Sequence, residues 1–236
     1  MLSGVPVIYG IDPFSAETTP NHQLGSIGVT ADGRKYRYAR AGTSALVAGD
    51  LLQSPAEATD SQSLIVAASV IGSKTVTTTD TTTVTANEFA NGYLIVTGEG
   101  GTGTGHMYRI RSHPAATAAV VTITLYDAIE VALSASTQID LVANPYEGVI
   151  QWPATQTGSP VGVAVTAVAA SSYSWIQTGG ASATLTTGTV AVGTNVAAAT
   201  GTAGAVETAT AGLPTVGYAL TGVATGEVGA IYLIID

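Results

Sequence analysis

The chain has 236 residues, 46% hydrophobic and only 10% charged, with a net charge of −9 and no cysteine. That composition excludes disorder, disulfides, thiolate metal sites and a cysteine nucleophile, and its length allows a core hiding about 70% of the extended chain's surface. The opening MLSGVPVIYGIDP has neither a basic flank nor an apolar run, and nowhere do 18 apolar residues follow one another without Thr, Ser, Gly or charge. Neither a secretory signal nor a membrane span is therefore expected, and the chain is expected to be made and used in soluble form.

In chain order, residues 1–60 read as an extended arm followed by a hairpin. In SIGVTADGRKYRYAR, Asp32-Gly33 predicts a two-residue turn, and the alternation puts Tyr36 and Tyr38 on one strand face. TSALVAGDLLQSPAE predicts a short helix capped by Thr43 or Ser44 and weakened by Gly49. Residues 61–145 contain the runs SLIVAASV, KTVTTTDTTTVT, GYLIVT, HMYRIRS, AVVTITLYDAIEVAL and TQIDLVA. These are rich in β-branched residues and mostly separated by Gly, Asn or Ser, the pattern of closely spaced strands. NPYEGVIQWP, with Pro145 and Pro153, marks a boundary. Residues 146–236 then form a second module of similar runs: VGVAVTAVA, SYSWIQT, ATLTTGTVAVG and VGYALTGVATGEVGAIYLIID. Between these, TNVAAATGTAGAVETATAG reads as a long loop with a strand near Val206. The expected fold is all-β: small barrel or sandwich modules, an extended N-terminal arm and at most one short helix.

YLIVTGEGGTGTGHMYRIRSHP contains Gly98, Gly100 and Gly103 at G-x-G-x-x-G spacing. A dinucleotide fingerprint must open into a helix whose N–H groups hold the pyrophosphate. Here HMYRIRS alternates with period two and Pro114 follows, so the glycines predict a hairpin turn and no phosphate site. His106, His113 and Asp127 have side chains suited to a metal ion, but the two histidines are seven apart and would face opposite ways in one strand. No metal site or cofactor is assigned. Asp127 and Glu130 could act as paired carboxylates, although nothing in the sequence favours them. No G-x-S-x-G elbow exists, and from Gly148 to Val206 there is no Asp, Glu, Lys, Arg or His for proton transfer. No catalytic residues are assigned, and the chain is not expected to be an enzyme.

Charge is unevenly placed. All seven basic residues precede position 112, where the net charge is −2, and the remainder carries −7. Arg34, Lys35, Arg37 and Arg40 interleave with Tyr36 and Tyr38, which admits a solvated face, a contact to an acidic protein surface or single-strand nucleic-acid binding. The acidity of the whole chain argues against nucleic acid. The charge-free stretch 148–206 lacks the usual protection of sheet edges, so it must close into a barrel, be covered, or pack against neighbouring subunits. Trp175 is either a core aromatic or an anchor at a subunit interface.

DGRKYRYARAG followed by AGDLLQSPAE, the ending GYALTGVATGEVGAIYLIID, and a Gly/Ala/Thr/Val middle resemble structural proteins of tailed bacteriophages, particularly capsid decoration (cement) and head-fibre proteins. The resemblance implies a β-rich protein, often trimeric, on the exterior of the virion head, that binds the major capsid protein and strengthens capsomer contacts. It implies no membrane partner and no catalytic residues. On this reading residues 1–60 are the docking region, with Arg34, Lys35, Arg37 and Arg40 as capsid contacts. The alternatives are a tail, baseplate or fibre component, and an adhesion module binding host glycans through Trp152 and Trp175.

Overall fold

The computed structural model describes residues 7–80, 83–98, 102–117 and 120–236. Within them lie twenty strands and a 3-10 turn at Thr59–Ser61. The first five strands are β1 (Val7–Tyr9), β2 (Ala16–Glu17), β3 (Ile27–Val29), β4 (Lys35–Ala41) and β5 (Leu51–Gln53). There follow β6 (Leu64–Ile65), β7 (Thr75–Thr79), β8 (Thr83–Val84), β9 (Tyr93–Val96), β10 (Met107–Ser112), β11 (Ala116–Thr117), β12 (Val120–Leu125) and β13 (Gln138–Val142). The last seven are β14 (Glu147–Gln151), β15 (Pro160–Ala164), β16 (Tyr173–Leu185), β17 (Asn195–Ala198), β18 (Val206–Thr208), β19 (Thr215–Ala219) and β20 (Val228–Ile234). The all-β expectation holds.

Contacts divide the chain into two compact units. One comprises the described residues through Ala56 together with Pro145–Asp236, and the other is Glu57–Asn144. The joints lie close to the boundaries read from the sequence, but the segment read as a separate arm and hairpin belongs to the same unit as the C-terminal segment. The reason is strand pairing: β4 runs antiparallel to β16, from Tyr173 opposite Arg40 to Gly179 opposite Lys35.

The inserted unit is a nearly closed six-strand barrel in the order β6-β13-β9-β10-β12-β7, with every pairing antiparallel. Its two edges meet at a bridge between Val66 and Thr78, supported by the Ala67 N–H donating to the Thr77 carbonyl at 2.7 Å. Alternation fills the interior, as in TVTTT, where Val76 and Thr78 point inward and Thr75, Thr77 and Thr79 outward. Leu94, Ile110, Ile123, Leu125 and Ile139 are fully buried together with Phe89 and Ile129. Each contributes about 1.5–3 kcal/mol by leaving water.

The other unit is built from two circuits of strands that share β16. The first runs β4-β14-β5-β15-β16 and returns to β4, with β4 and β14 parallel and the remaining pairs antiparallel. Ala39, Ala41, Leu52, Val149, Val161 and Ile176 make a core from its strands. The second runs β16-β20-β19-β17-β18 and returns through a bridge between Thr186 and Val206. Val196, Val206, Val216, Ile231 and Leu233 form its core with Trp152 and Leu51. Beyond Gln177, β16 exchanges β4 for β20 as its neighbour, and the exchange falls at Gly179 and Gly180. Gly180 sits at φ +85°, where a Cβ would also lie 3.0 Å from Arg34 Cγ, so both conformation and space require glycine.

Three local expectations are corrected. The segment read as a capped helix is not helical: it runs through bends and a turn at Ala48–Gly49, with Leu46 bridging Val168 and Leu51–Gln53 forming β5, because β5 completes the first circuit between β14 and β15. The stretch read as a long loop before Val206 contains β17, whose Val196 and Ala198 are fully buried. The β3–β4 turn is a three-residue loop, Ala31–Gly33, closed by the Thr30 N–H on the Arg34 carbonyl, with Gly33 at φ +83°.

Candidate functional site

The cations of β4 are the first candidates, and the fold separates them. Arg37 and Arg40 are three residues apart in one strand and leave it on opposite faces. Arg34 donates from Nε to Asp32 Oδ2 at 2.7 Å across the hairpin turn. Arg37 pairs with the Asp236 carboxylate, donates to the Gly25 carbonyl at 2.9 Å and lies over the Tyr146 ring. Arg40 pairs with Glu147 Oε1 at 2.5 Å and lies over Tyr173. Lys35 is exposed and within electrostatic reach of Asp236. Thr30 Oγ1 and then Arg34 hold the Asp32 carboxyl below its ordinary value, and Arg37 does the same for Asp236. Three of the four cations are thus set against carboxylates of the same chain, which cancels most of the field they would offer a partner.

Tyr36 and Tyr38 share a face, as the alternation predicts, and that face is buried. With Trp175 they form a small core onto which Ile8, Ile11 and Leu24 of the N-terminal segment pack. Tyr38 and Trp175 meet edge to face at 5.2 Å, and the His22 ring lies 5.1 Å from each. The Tyr38 hydroxyl donates to Glu17 Oε2 at 2.6 Å and accepts from the Asn21 N–H at 3.1 Å. Burial pushes Glu17 up, but hydrogen bonds from Tyr38 and Asn21, together with the nearby His22, outweigh it and hold the carboxyl below its usual value. Burial, followed by the Glu17 contact, raises the Tyr38 phenol strongly. The arm is therefore stitched into the unit: β1 lies parallel to β3, and β2 pairs with β16. Its buried tyrosines cannot stack on nucleic-acid bases. Trp175, at 3% exposure, is a core residue of its own unit, and Trp152 is buried equally, with Nε1 donating to the Ala199 carbonyl at 2.9 Å. A glycan face built on these two tryptophans is thereby overturned, because neither ring reaches the surface.

In the inserted unit the glycine loop joins β9 to β10, with Ile95 opposite Met107. Gly100 lies outside the described residues. The Gly105 N–H donates to the Val96 carbonyl, and the chain enters a strand, so the helix a phosphate site needs is replaced by β10. His113 is buried. Its Nε2 accepts from the Phe89 N–H at 3.0 Å, which leaves Nδ1 to donate to the Pro114 carbonyl at 3.0 Å. His106 Nδ1 bonds the Tyr108 hydroxyl at 2.9 Å, which in turn accepts the Glu130 N–H. Asp127 is exposed in the connection after β12.

The surface that residue-by-residue reading missed lies on the outer face of β16, β20 and β19. Val228, Tyr232 and Ile234 of β20 are exposed, as are Tyr218 and Leu220 in and just after β19. Tyr218 is paired with Tyr232, and their rings stack at 5.1 Å. Ala181 and Ala183 of β16 lie beside them, opposite Tyr232 and Ala230. No charged side chain stands among these positions. The signal was present in AIYLIID, whose apolar residues occupy both parities where one buried face needs only alternate positions.

Comparison of the chain with family models, with curated proteins and with solved structures gives no match.

Proposed function

We propose that this chain is a structural component of a tailed-phage virion, a decoration protein that binds the outside of the head and stabilises capsomer contacts. The observation that supports this most is the uncharged face of β16, β20 and β19, with its stacked Tyr218–Tyr232 pair. Exposed tyrosine and aliphatic side chains on a rigid sheet are suited to burial against another protein surface. Association of like chains, as a trimer on the head, would cover that face. The role is structural and needs no cofactor, no nucleic acid and no membrane. The β4 cations contribute to capsid contact chiefly through Lys35 on this reading, since Arg34, Arg37 and Arg40 already face carboxylates.

Gold-labelled antibody against the protein should decorate the heads of the phage that encodes it. Label on tails instead would move the protein to the tail or baseplate, and binding of purified protein to a glycan array but not to heads would make it an adhesion module. Tyr232→Glu should reduce the sedimentation coefficient to that of a monomer. A wild-type protein that already sediments as a soluble monomer and leaves heads unlabelled would end the proposal.

A further inference from the structure

The inserted unit contains three basic residues, Lys74, Arg109 and Arg111, from two separate stretches of sequence. The fold brings Lys74 and Arg109 to Tyr126, just after β12, and places Arg111 two residues beyond Arg109 on β10. Lys74 donates from Nζ to the Tyr126 carbonyl at 2.9 Å, a contact that positions the ammonium without cancelling its charge. The Arg109 guanidinium lies 4.8 Å from the centre of the Tyr126 ring. Asn91 Oδ1 accepts from both Arg109 Nη2, at 3.1 Å, and the Tyr126 hydroxyl, at 3.0 Å, and so fixes the stack. Arg111 is exposed on the same strand, at the irregularity where the β10–β12 register shifts. Asp127 follows Tyr126 in the chain and is the one carboxylate adjacent in sequence to the cluster.

The rest of this outer face is neutral. Threonines of β7 and β12 oppose each other across it, with Thr77 and Thr122 hydroxyls 3.4 Å apart. Met107 at 58% exposure and Val120 at 62% are open to solvent on β10 and β12. Arg, Tyr and Met are residue types enriched at protein interfaces, and a barrel exterior is open where small-ligand sites are concave. The charge on the face is cationic while the unit as a whole is acidic, so an anionic partner is attracted here and repelled elsewhere.

We propose that the outer face of β7, β10 and β12 docks onto an acidic protein surface, the exterior of the major capsid protein; this partner rests on the decoration reading above. Association is steered by Lys74, Arg109 and Arg111, and the exposed Met107, Val120 and Tyr126 are buried on contact.

Heads of the encoding phage, assembled without this protein, should be titrated with full-length wild type, with Lys74→Gln/Arg111→Gln and with Lys74→Glu/Arg111→Glu. Both substituted side chains are exposed, and circular dichroism of each variant is the check that it folds. The expected result is strongest binding by the wild type, an intermediate loss for the glutamine variant and a loss of about tenfold or more for the glutamate variant. Wild-type affinity should also fall as salt rises from about 50 mM to about 300 mM. Equal occupancy by folded wild type and both variants would overturn this surface while leaving the decoration reading intact. Failure of the wild type itself to bind heads would overturn both. Unchanged head binding, combined with loss of acidic-glycan binding in the glutamate variant, would assign the face to carbohydrate and overturn the proposal.

Discussion

The two units differ in how they use a strand. In Glu57–Asn144 each strand of the barrel has one apolar face and one outward face, and a single core suffices. In the other unit β16 serves two circuits, and from Ser174 to Gly179 every residue is buried. A strand covered on both sides cannot carry charge, because burying an unpaired charge costs several kcal/mol or more. Internal cover accounts for the buried strands of the charge-free stretch 148–206, chiefly β15, β16 and β17, while its exposed connections are made of Thr, Ser, Gln, Gly and small apolar residues. The large exposed side chains of the uncharged β16–β20–β19 face, Tyr218, Leu220, Val228, Tyr232 and Ile234, all come from residues after 206. Absence of charge in a strand is therefore compatible with burial inside its own chain, and only the fold says which uncharged segments are covered.

Breaking one unit at a time sharpens this contrast, with hydrogen exchange on the full chain reading each unit separately. The largest effect is expected from Trp175→Ala, which empties the core beneath the N-terminal segment. It should cost about 3–5 kcal/mol, with protection lost in β1–β4 and β16 and kept in β9–β13. Loss of protection across both units alike would contradict the division into two.

His113→Ala is the reciprocal experiment. It leaves the buried Phe89 N–H without its acceptor and should cost about 1–3 kcal/mol, confined to the barrel. An unchanged exchange rate at Phe89 would show that the imidazole does not hold that turn.

A gain is expected at Thr184, whose hydroxyl is buried without a hydrogen-bond partner, as are those of Thr178 and Ser182. Opposite Gly229 and inside the second circuit, Thr184→Val removes an unsatisfied polar atom and should stabilise by about 1 kcal/mol, a rise of about 2–4 °C in Tm. A lower Tm would mean that the hydroxyl is satisfied in solution.

The smallest effect concerns pH. Arg37 depresses the Asp236 carboxyl, and hydrogen bonds depress Glu17 against the opposing effect of burial. A depressed carboxyl stabilises the fold above its unfolded value, about 4, and that contribution is lost as pH falls through its folded value. Asp50 works in the opposite sense, because burial raises it despite the hydrogen bond from Gln151. Asp236→Asn should flatten the acid side of a urea-midpoint curve by under about 1 kcal/mol, since the pair is partly exposed. Asp50→Asn should raise the midpoint near neutrality. A curve for Asp236→Asn superimposable on wild type at every pH would show that the pair contributes nothing.

The all-β class, the joint near Pro145, the β3–β4 hairpin, the shared face of Tyr36 and Tyr38 and the hairpin role of the glycine loop were all legible in sequence. Each follows from interactions between residues close in the chain: alternation, turn chemistry and a proline boundary. What could not be read depends on partners far apart. Asp236 meets Arg37 across 199 positions, Glu147 meets Arg40 across 107, and a segment with helical capping residues becomes β5 because two later strands need it between them. Three of the four cations clustered in one stretch are taken up in ion pairs, and Lys74 and Arg109, far apart in sequence, meet at one tyrosine. Composition and local periodicity determined that this chain is a β protein with little charge to expose. Tertiary structure alone decided which charges are cancelled and which face remains apolar, because both depend on strand pairings whose register no neighbouring residue specifies.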